Sequence, residues 1–370
     1  MDPKNRCTIC LCMIVKDESK VILDCLNSVV KNIDYWVICD TGSTDGTQDI
    51  IKGFFKDKKI NGELHEHKWV DFGYNRTLAF FHARGKCDYM YVIDADDRLN
   101  GDIIIDSDKY THVNINIKYG NLFFKRVQIF NSILQWEYVG ILHEHPVLKS
   151  KNVNPTVHNL QDCYVQAGTF GNRSQDPEKY AKDAIVLEKA LVDEPNNARY
   201  TYYLAQSYRD SNQNEKAIEA YKRRTLLGGN KEEIYYSYYM IGKLKTRLNR
   251  NFEDEVLYDL LRAFNYRKHR LEALYDIVIY YRQQEMYKIA FSYASMGMNI
   301  PKTTDNMMVV NEVYDWMFMD ELAACAVHAG FVSLAAECMR NLMKSEHVPT
   351  PEKDRIERNL NNVLEKYPNV

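Results

Sequence analysis

The sequence predicts an α/β domain with a Rossmann-like, mixed sheet over residues 1–170, and an all-α helical-repeat domain over residues 171–370. Three observations predict this. Apolar strand patterns alternate with helix patterns as far as about residue 100. A hairpin pattern breaks that alternation directly afterwards. From about Asp176 the apolar spacing becomes helical and recurs. At 370 residues the chain is long enough for two separate cores.

The elements follow in order. Cys7–Val15 is a nine-residue, mostly apolar run behind Lys4 and Arg6. It is short for a leader and no small-residue cleavage site follows, so it reads as a buried strand. Ile22, Cys25, Leu26, Val29 and Val30 then fall on one helix face. Tyr35–Cys39 is a second strand, ended by Asp40 and the polar loop Thr41–Gly46. Ile50, Ile51, Phe54 and Phe55 mark a second helix, and Leu64–His67 a weak strand. Tyr74, Leu78 and Phe81 mark a third helix, and Tyr89–Ile93 a further strand. This order argues for a largely parallel sheet, whose ligands bind at the carboxyl ends of strands. Asp40 and Asp94 stand at those ends. Val113, Ile115 and Ile117 then alternate with polar residues, Tyr119-Gly120-Asn121 is a turn, and Leu122–Phe130 returns antiparallel.

In the second half, Tyr180, Ala184, Leu187 and Leu191 share a helix face. Leu204, Ala205, Tyr208, Ala217 and Tyr221 have the spacing of a tetratricopeptide repeat. Tyr281 with Ala290, and Ala326 with Ala335, echo it. Such stacked hairpins offer a groove for a partner or substrate.

Composition narrows the function class. A net charge of −3 gives no global field toward nucleic acid or an anionic membrane. The clusters Lys222–Arg224 and Arg267–Arg270 read as helix ends or solvated helix faces. No transmembrane span is visible. The nine scattered cysteines lack a second half-site for zinc and read as reduced thiols. Without a targeting signal, a cytoplasmic location is expected.

The chemistry centres on "YVIDADDRL", residues 91–99, which sets Asp94, Asp96 and Asp97 at the end of an apolar strand. Carboxylates this close repel unless a cation lies among them. An EF-hand register fails, because Arg98 and Leu99 fall where an oxygen ligand and a glycine belong. Asp40-Thr41-Gly42-Ser43 resembles an aspartic protease signature, but it occurs once and a helix pattern follows it. An Asp-X-Asp clamp for Mg²⁺ or Mn²⁺ and a nucleotide diphosphate fits the strand-end context.

The segments "MIVKDES", "VICDTGSTDGT", "FGYNRTLAF" and "YVIDADDRL", in this order, resemble family-2 glycosyltransferases of GT-A fold over roughly residues 7–100. "WEYVGILHEHP", His158 and the helical tail resemble the branch that carries a tetratricopeptide-like domain. The resemblance implies that Asp17, Glu18 and Asp40 line the nucleotide pocket. It implies that Arg76 lies near the diphosphate, that Asp94 reaches the ribose and that Asp96 binds the metal. Glu144 would be the base, and His158 would complete the metal shell, with His143 and His145 as flanking alternatives. Asp45 would cap the helix after it. Asp17 and Thr77 depart from the Asn that is usual at each place.

Together these readings give a metal-dependent, inverting transferase, using Mn²⁺ or Mg²⁺ and a UDP-sugar. The acceptor would be a peptide, protein or glycan engaged through the helical domain. Trp136 and Tyr138 are candidates for stacking on a sugar or for core packing. His65 and His67 read as surface strand residues. The rival is a non-catalytic scaffold with a degenerate transferase half. A nucleotidyltransferase is disfavoured, since "IVKDES" stands where a Gly-rich phosphate loop is needed.

Overall fold

The first apolar run forms β1, Ile9–Val15, and every residue of it except Ile14 is buried. Its side chains alternate between two cores. Ile9, Leu11, Met13 and Val15 join Ile22 and Leu26 of α1 (Ile22–Val29) and Ile51 and Phe55 of α2 (Thr47–Lys58). Cys10 and Cys12 join Ala79, Phe80 and Ala83 of α3 (Phe72–Ala83) on the other face. A strand covered on both faces needs an unbroken apolar sequence, which is why the run lacks polar alternation. The computed structural model describes residues 6–120, 122–168 and 170–370. Lys4 and the Asn121 of the expected turn lie outside the described residues.

The chain divides into two units, residues 1–183 and 184–370. In the first, β1 pairs in parallel with β2 (Tyr35–Asp40) and β4 (Tyr89–Val92), and β2 with β3 (Gly62–Glu66). The remaining strands are β5 (Arg98–Gly101), β6 (His112–Tyr119), β7 (Leu122–Asn131), the small pair β8 (Trp136–Val139) and β9 (His145–Leu148), and β10 (Val157–Gln166). Among the described residues the main sheet runs β3-β2-β1-β4-β7-β6-β10-β5. β7 is antiparallel to β4 and β6, and β10 runs parallel to β6. The sheet is therefore mixed, as the hairpin pattern implied. The carboxyl ends of β1, β2 and β4 lie side by side.

The face that α3 buries differs from the expected one. Gly73, Asn75, Arg76, Ala79, Phe80 and Ala83 are buried, while Tyr74 and Phe81 are exposed. Polar residues take the inner face because each finds partners there. Asn75 accepts the Val70 N–H at 3.0 Å and donates to the Lys68 carbonyl at 3.2 Å. The third helix thus puts a charged side chain, Arg76, where apolar spacing would have put a core residue. His65 and His67, expected at the surface, are half-buried on β3 and just beyond it, against His82 of α3. Trp136 goes to core packing, edge-on to Phe130 at 5.1 Å. The nine cysteines form no disulfide among the described residues.

The second unit is helical: α4 (Lys179–Asp193, which begins in the first unit), α5 (Ala198–Asp210), α6 (Asn214–Leu226), α7 (Lys231–Arg247), α8 (Leu257–Tyr266), α9 (Glu272–Gln283), α10 (Tyr287–Gly297), α11 (Phe318–Ala329), α12 (Val332–Lys344) and α13 (Thr350–Lys366). From α5 onward each helix packs on the next. The repeat-like residues fall on three hairpins, α5–α6, α9–α10 and α11–α12. There Ala205, Ala217, Tyr221, Ala290, Ala326 and Ala335 are wholly buried. Small residues at these places let the paired helices approach. α7 and α8, joined by a π-helical turn at Phe252–Val256, depart from the repeat.

α3 is held to the β8–β9 hairpin by a contact that only glycine permits. A Cβ on Gly73 would stand 2.5 Å from the Gly140 carbonyl oxygen, which is backbone and cannot swing aside. Gly73→Ala is expected to lower stability by about 1–3 kcal/mol through overpacking. Urea unfolding checks this, and an unchanged midpoint would mean that the hairpin does not seat on α3.

Candidate active site

Two sequence motifs form one structure at the ends of β1 and β2. Asp17 adopts a left-handed backbone, φ 55°. Its N–H donates to Ser43 Oγ at 2.9 Å, and its Oδ1 accepts the Thr44 N–H at 2.8 Å. The Glu18 N–H donates to Thr47 Oγ1 at 2.8 Å. Asp45 accepts the Ser19 N–H on one oxygen, and on the other the Thr47 N–H and hydroxyl. Asp45 was expected to cap α2; the residue at the cap is Gly46, and Asp45 ties the two loops together as well. Burial opposes its charge, but the hydrogen bonds from Thr47 and Ser19 hold its carboxyl well below the usual range.

Asp40 is enclosed by its own loop. Oδ1 accepts the N–H groups of Gly42 and Ser43, both at 2.8 Å, and Gln48 Nε2 at 3.0 Å. Burial raises its pKa, yet the bonds from Ser43, Gly42 and Gln48 bring it below the ordinary value. Asp40 Oδ2 is buried and has no hydrogen-bond partner among the described residues.

The acidic loop after β4 is covered by the segment after β10. Gly168 N–H donates to Asp97 Oδ1 and Gly171 N–H to Asp96 Oδ2, both at 2.9 Å. A Cβ on Gly168 would lie 2.0 Å from the Asp96 carbonyl oxygen. A Cβ on Gly171 would lie 3.0 Å from Asp96 Oδ2 and 3.5 Å from Glu18 Oε1, so both carboxylates face that glycine. These glycines were not singled out from the sequence. The signal was there, in "AGTFG" directly after a strand.

Arg76 joins the acidic loop to Glu144. Its Nη2 donates to Asp94 Oδ1 at 2.6 Å and its Nε to Glu144 Oε1 at 2.7 Å. Arg76 is only 8% exposed. Burial disfavours its charge, but Asp94 and Glu144 more than restore it. Burial likewise opposes ionisation of Asp94, and the charges of Arg76 and Arg126 outweigh this, holding its carboxyl below the usual range. The expected diphosphate contact is therefore not what occupies these nitrogens of Arg76. Arg126, exposed on β7, is a cation that sequence reading missed; its charge acts on both Asp94 and Asp97. Thr77 explains its own departure from Asn. Its hydroxyl accepts the Tyr138 N–H at 2.9 Å and donates to the Tyr138 carbonyl, holding the β8–β9 hairpin.

His158 is not brought to this end of the sheet. It pairs with Val113, which is level with Ile129 and hence with Tyr91, the residue three places before Asp94. It lies three strands across from β4, roughly 14 Å by strand spacing. Its ring stacks on Tyr110 at 4.7 Å. The carboxyl end of β10, eight residues later, is what reaches the acidic loop, with Gln166 beside Arg98. His158, expected to complete the metal shell, thus stands level with Tyr91 rather than with Asp94. His143 and His145 flank Glu144 and are exposed.

Asp97 is the least settled carboxyl of the group. Burial first, then the charges of Asp94 and Asp96, push its pKa up to about 7, against the Gly168 hydrogen bond. A carboxyl whose folded pKa is raised binds its proton more tightly in the native state. Its contribution is thus present below its unfolded value and is lost as pH rises through its folded value. In EDTA, wild-type stability is expected to fall by roughly 1–3 kcal/mol between about pH 5 and about pH 8. Asp97→Asn should remove most of that slope in urea unfolding. An identical slope in the variant contradicts this assignment.

Comparison with known proteins bears on the same region. Residues 10–104 match the family model described as "Glycosyl transferase family 2". The chain is 27% identical over 235 residues to the SPbeta prophage-derived glycosyltransferase SunS of Bacillus subtilis, covering 58% of this chain and 53% of that protein. It thus spans about half the length of that relative. A TPR repeat-containing protein of Synechococcus elongatus is 36% identical over 92 residues, 25% of this chain and 21% of its own. Among solved structures, S. aureus TarS 1–349 in complex with UDP-GlcNAc aligns with a TM-score of 0.36 and 14% identity, over 66% of this chain and 93% of its own. A likeness this slight adds no weight. Residues 10–104 are thus similar to glycosyltransferase family 2, and the chain matches a named glycosyltransferase over 235 residues and a TPR repeat-containing protein over 92.

Proposed function

We propose that the first unit transfers a sugar from a nucleotide diphosphate sugar, a UDP-sugar, to an acceptor with inversion, and that it requires Mn²⁺ or Mg²⁺. The observation that carries this reading is the meeting of Asp94 and Glu144 on Arg76, at the start of the loop that carries Asp96. A surface acidic loop would not be joined to a nearly buried carboxylate on a separate hairpin.

A divalent cation fits the residues present. The donors around Asp96 are carboxylate oxygens, the ligand set of Mg²⁺ and Mn²⁺. Burial first, then the charges of Asp94 and Asp96, raise the pKa of Asp97, and Arg126 and the Gly168 N–H offset this only in part. Asp96 would hold the ion, with Asp94 and Asp97 beside it. When bound, the ion offsets charge on the diphosphate as it departs.

The chain's own residues do the rest. Asp40 Oδ2 lacks a donor, and the N3–H of uracil is one, whereas cytosine presents an acceptor at that position. Arg126 offers a cation to the diphosphate. Glu144, 11% exposed as a side chain, takes the proton from the acceptor hydroxyl. Arg76 positions Glu144 against the donor. The helical unit supplies a surface for a peptide, protein or glycan acceptor, by analogy with other stacked-hairpin proteins.

Calorimetry tests the reading directly. UDP is expected to bind the wild type only with Mn²⁺ present, and Asp96→Ala should abolish this dependence. Glu144→Gln should leave UDP binding in place and lower turnover by roughly 10²–10⁴-fold. If wild type with Mn²⁺ binds neither UDP nor another nucleotide, the transferase reading fails and the helical unit as a partner-binding scaffold takes its place.

A further inference from the structure

Three of the chain's ten histidines gather away from the acidic loop, on the α3 face of the sheet. His65 lies on β3, opposite Cys39 of β2 in the ladder, so the two side chains share a face. His67 follows at the next position on that face. Its N–H continues the ladder by donating to the Asp40 carbonyl at 2.8 Å. His82, in the last turn of α3, closes over them. His67 Nε2 and His82 Nε2 are 3.0 Å apart. Cys39 Sγ and one ring nitrogen each of His67 and His82 all lie within 4.8 Å of one another.

We propose that Cys39, His67 and His82 form a binding site for a borderline-soft divalent cation, Zn²⁺, separate from the acidic loop. The donor types are those of zinc: one thiolate and two imidazoles, with the fourth position left to water or a ligand. At Zn–S and Zn–N distances of about 2.3 and 2.0 Å, tetrahedral donors stand about 3.3–3.6 Å apart. The observed spacing needs only small side-chain adjustments to reach this. On binding, the Cys39 thiol releases its proton to water and its sulfur lone pair forms the Zn–S bond, with no change of oxidation state. His65 lies outside the donor set and steadies it. Its ring stacks on His82 at 3.8 Å, and its Nε2 is 2.9 Å from Glu63 Oε2. Outer partners of this kind fix the orientation of a ligating imidazole.

The simpler account is one proton shared between two imidazoles 3.0 Å apart. It leaves unexplained why a thiol 1% exposed points at the same pair. It also gives no reason to gather a third imidazole against the same pair. A bound cation accounts for all three. It would fasten β2, β3 and α3 together at the edge of the sheet, one residue from Asp40 and on the helix that carries Arg76.

The test uses the full chain, stripped with EDTA and kept reduced without added thiol. Co²⁺ is the first probe. The wild type should bind one equivalent in a tetrahedral site, beside any Co²⁺ held by the acidic loop, with the strong visible absorption of tetrahedral Co²⁺ and a near-ultraviolet thiolate-to-metal band. Zn²⁺ in competition with a chromophoric chelator then gives affinity. His67→Ala and His82→Ala should each weaken Zn²⁺ binding by at least about tenfold. Cys39→Ser should lose the thiolate band. Asp96→Ala should keep both the band and the affinity, which separates this site from the acidic loop. A weak octahedral Co²⁺ spectrum in the wild type, or Zn²⁺ affinity that the histidine variants leave unchanged, overturns the proposal. The wild-type spectrum decides even if a variant does not fold.

Discussion

One guanidinium sets the geometry on which the rest depends. Arg76 is almost wholly removed from water and gives one nitrogen to Asp94 and another to Glu144. Taking such an ion out of water costs several kcal/mol, offset only by well-placed partners. Both partners are needed, because each sits on a different element. Asp94 ends β4, and Glu144 lies in the turn between β8 and β9. The interaction therefore fixes α3 relative to the sheet and the hairpin relative to α3. Gly73 against Gly140, and Thr77 against Tyr138, hold the same hairpin from the same helix.

Topology explains why the charges collect here. Parallel strands deliver their carboxyl ends to one edge, and the loops leaving β1, β2 and β4 are all acidic. The first two neutralise themselves with hydroxyls and backbone N–H groups, which is the work of Ser43, Thr44 and Thr47 on Asp17, Asp40 and Asp45. The third loop does so only in part. Two glycine N–H groups and Arg76 serve three carboxylates, and burial leaves Asp97 near neutrality in its demand for a proton. Apart from Asp40 Oδ2, the first two loops are satisfied from within, and the imbalance left in the third suits the proposed cation.

Much of this was legible in the sequence, and the failures have physical causes. The unbroken apolar run of β1, the hairpin alternation and the small residues of the helical repeats all report directly on burial. The inner face of α3 did not, because apolar spacing finds cores and this face is held by Asn75 and Arg76. The level of His158 in the sheet was hidden for a related reason. A motif gives a residue's order in the chain, but the strand ladder decides its height in the sheet, and β10 carries His158 well short of the acidic loop. The cover supplied by Gly168 and Gly171 is a backbone contribution with no side chain to notice. Cys39, His67 and His82 are separated by 28 and 15 residues, so only the fold brings them together.

On the proposed reading, Arg76 and Glu144 act as one unit. A double-mutant cycle on turnover of a UDP-sugar, with Arg76→Met, Glu144→Gln and the pair together, measures this most directly. The double variant is expected to be about as slow as the slower single variant, since each substitution already dismantles the same arrangement. Losses that multiply across the two sites would overturn this, and would make Arg76 a structural residue that merely lies beside Glu144.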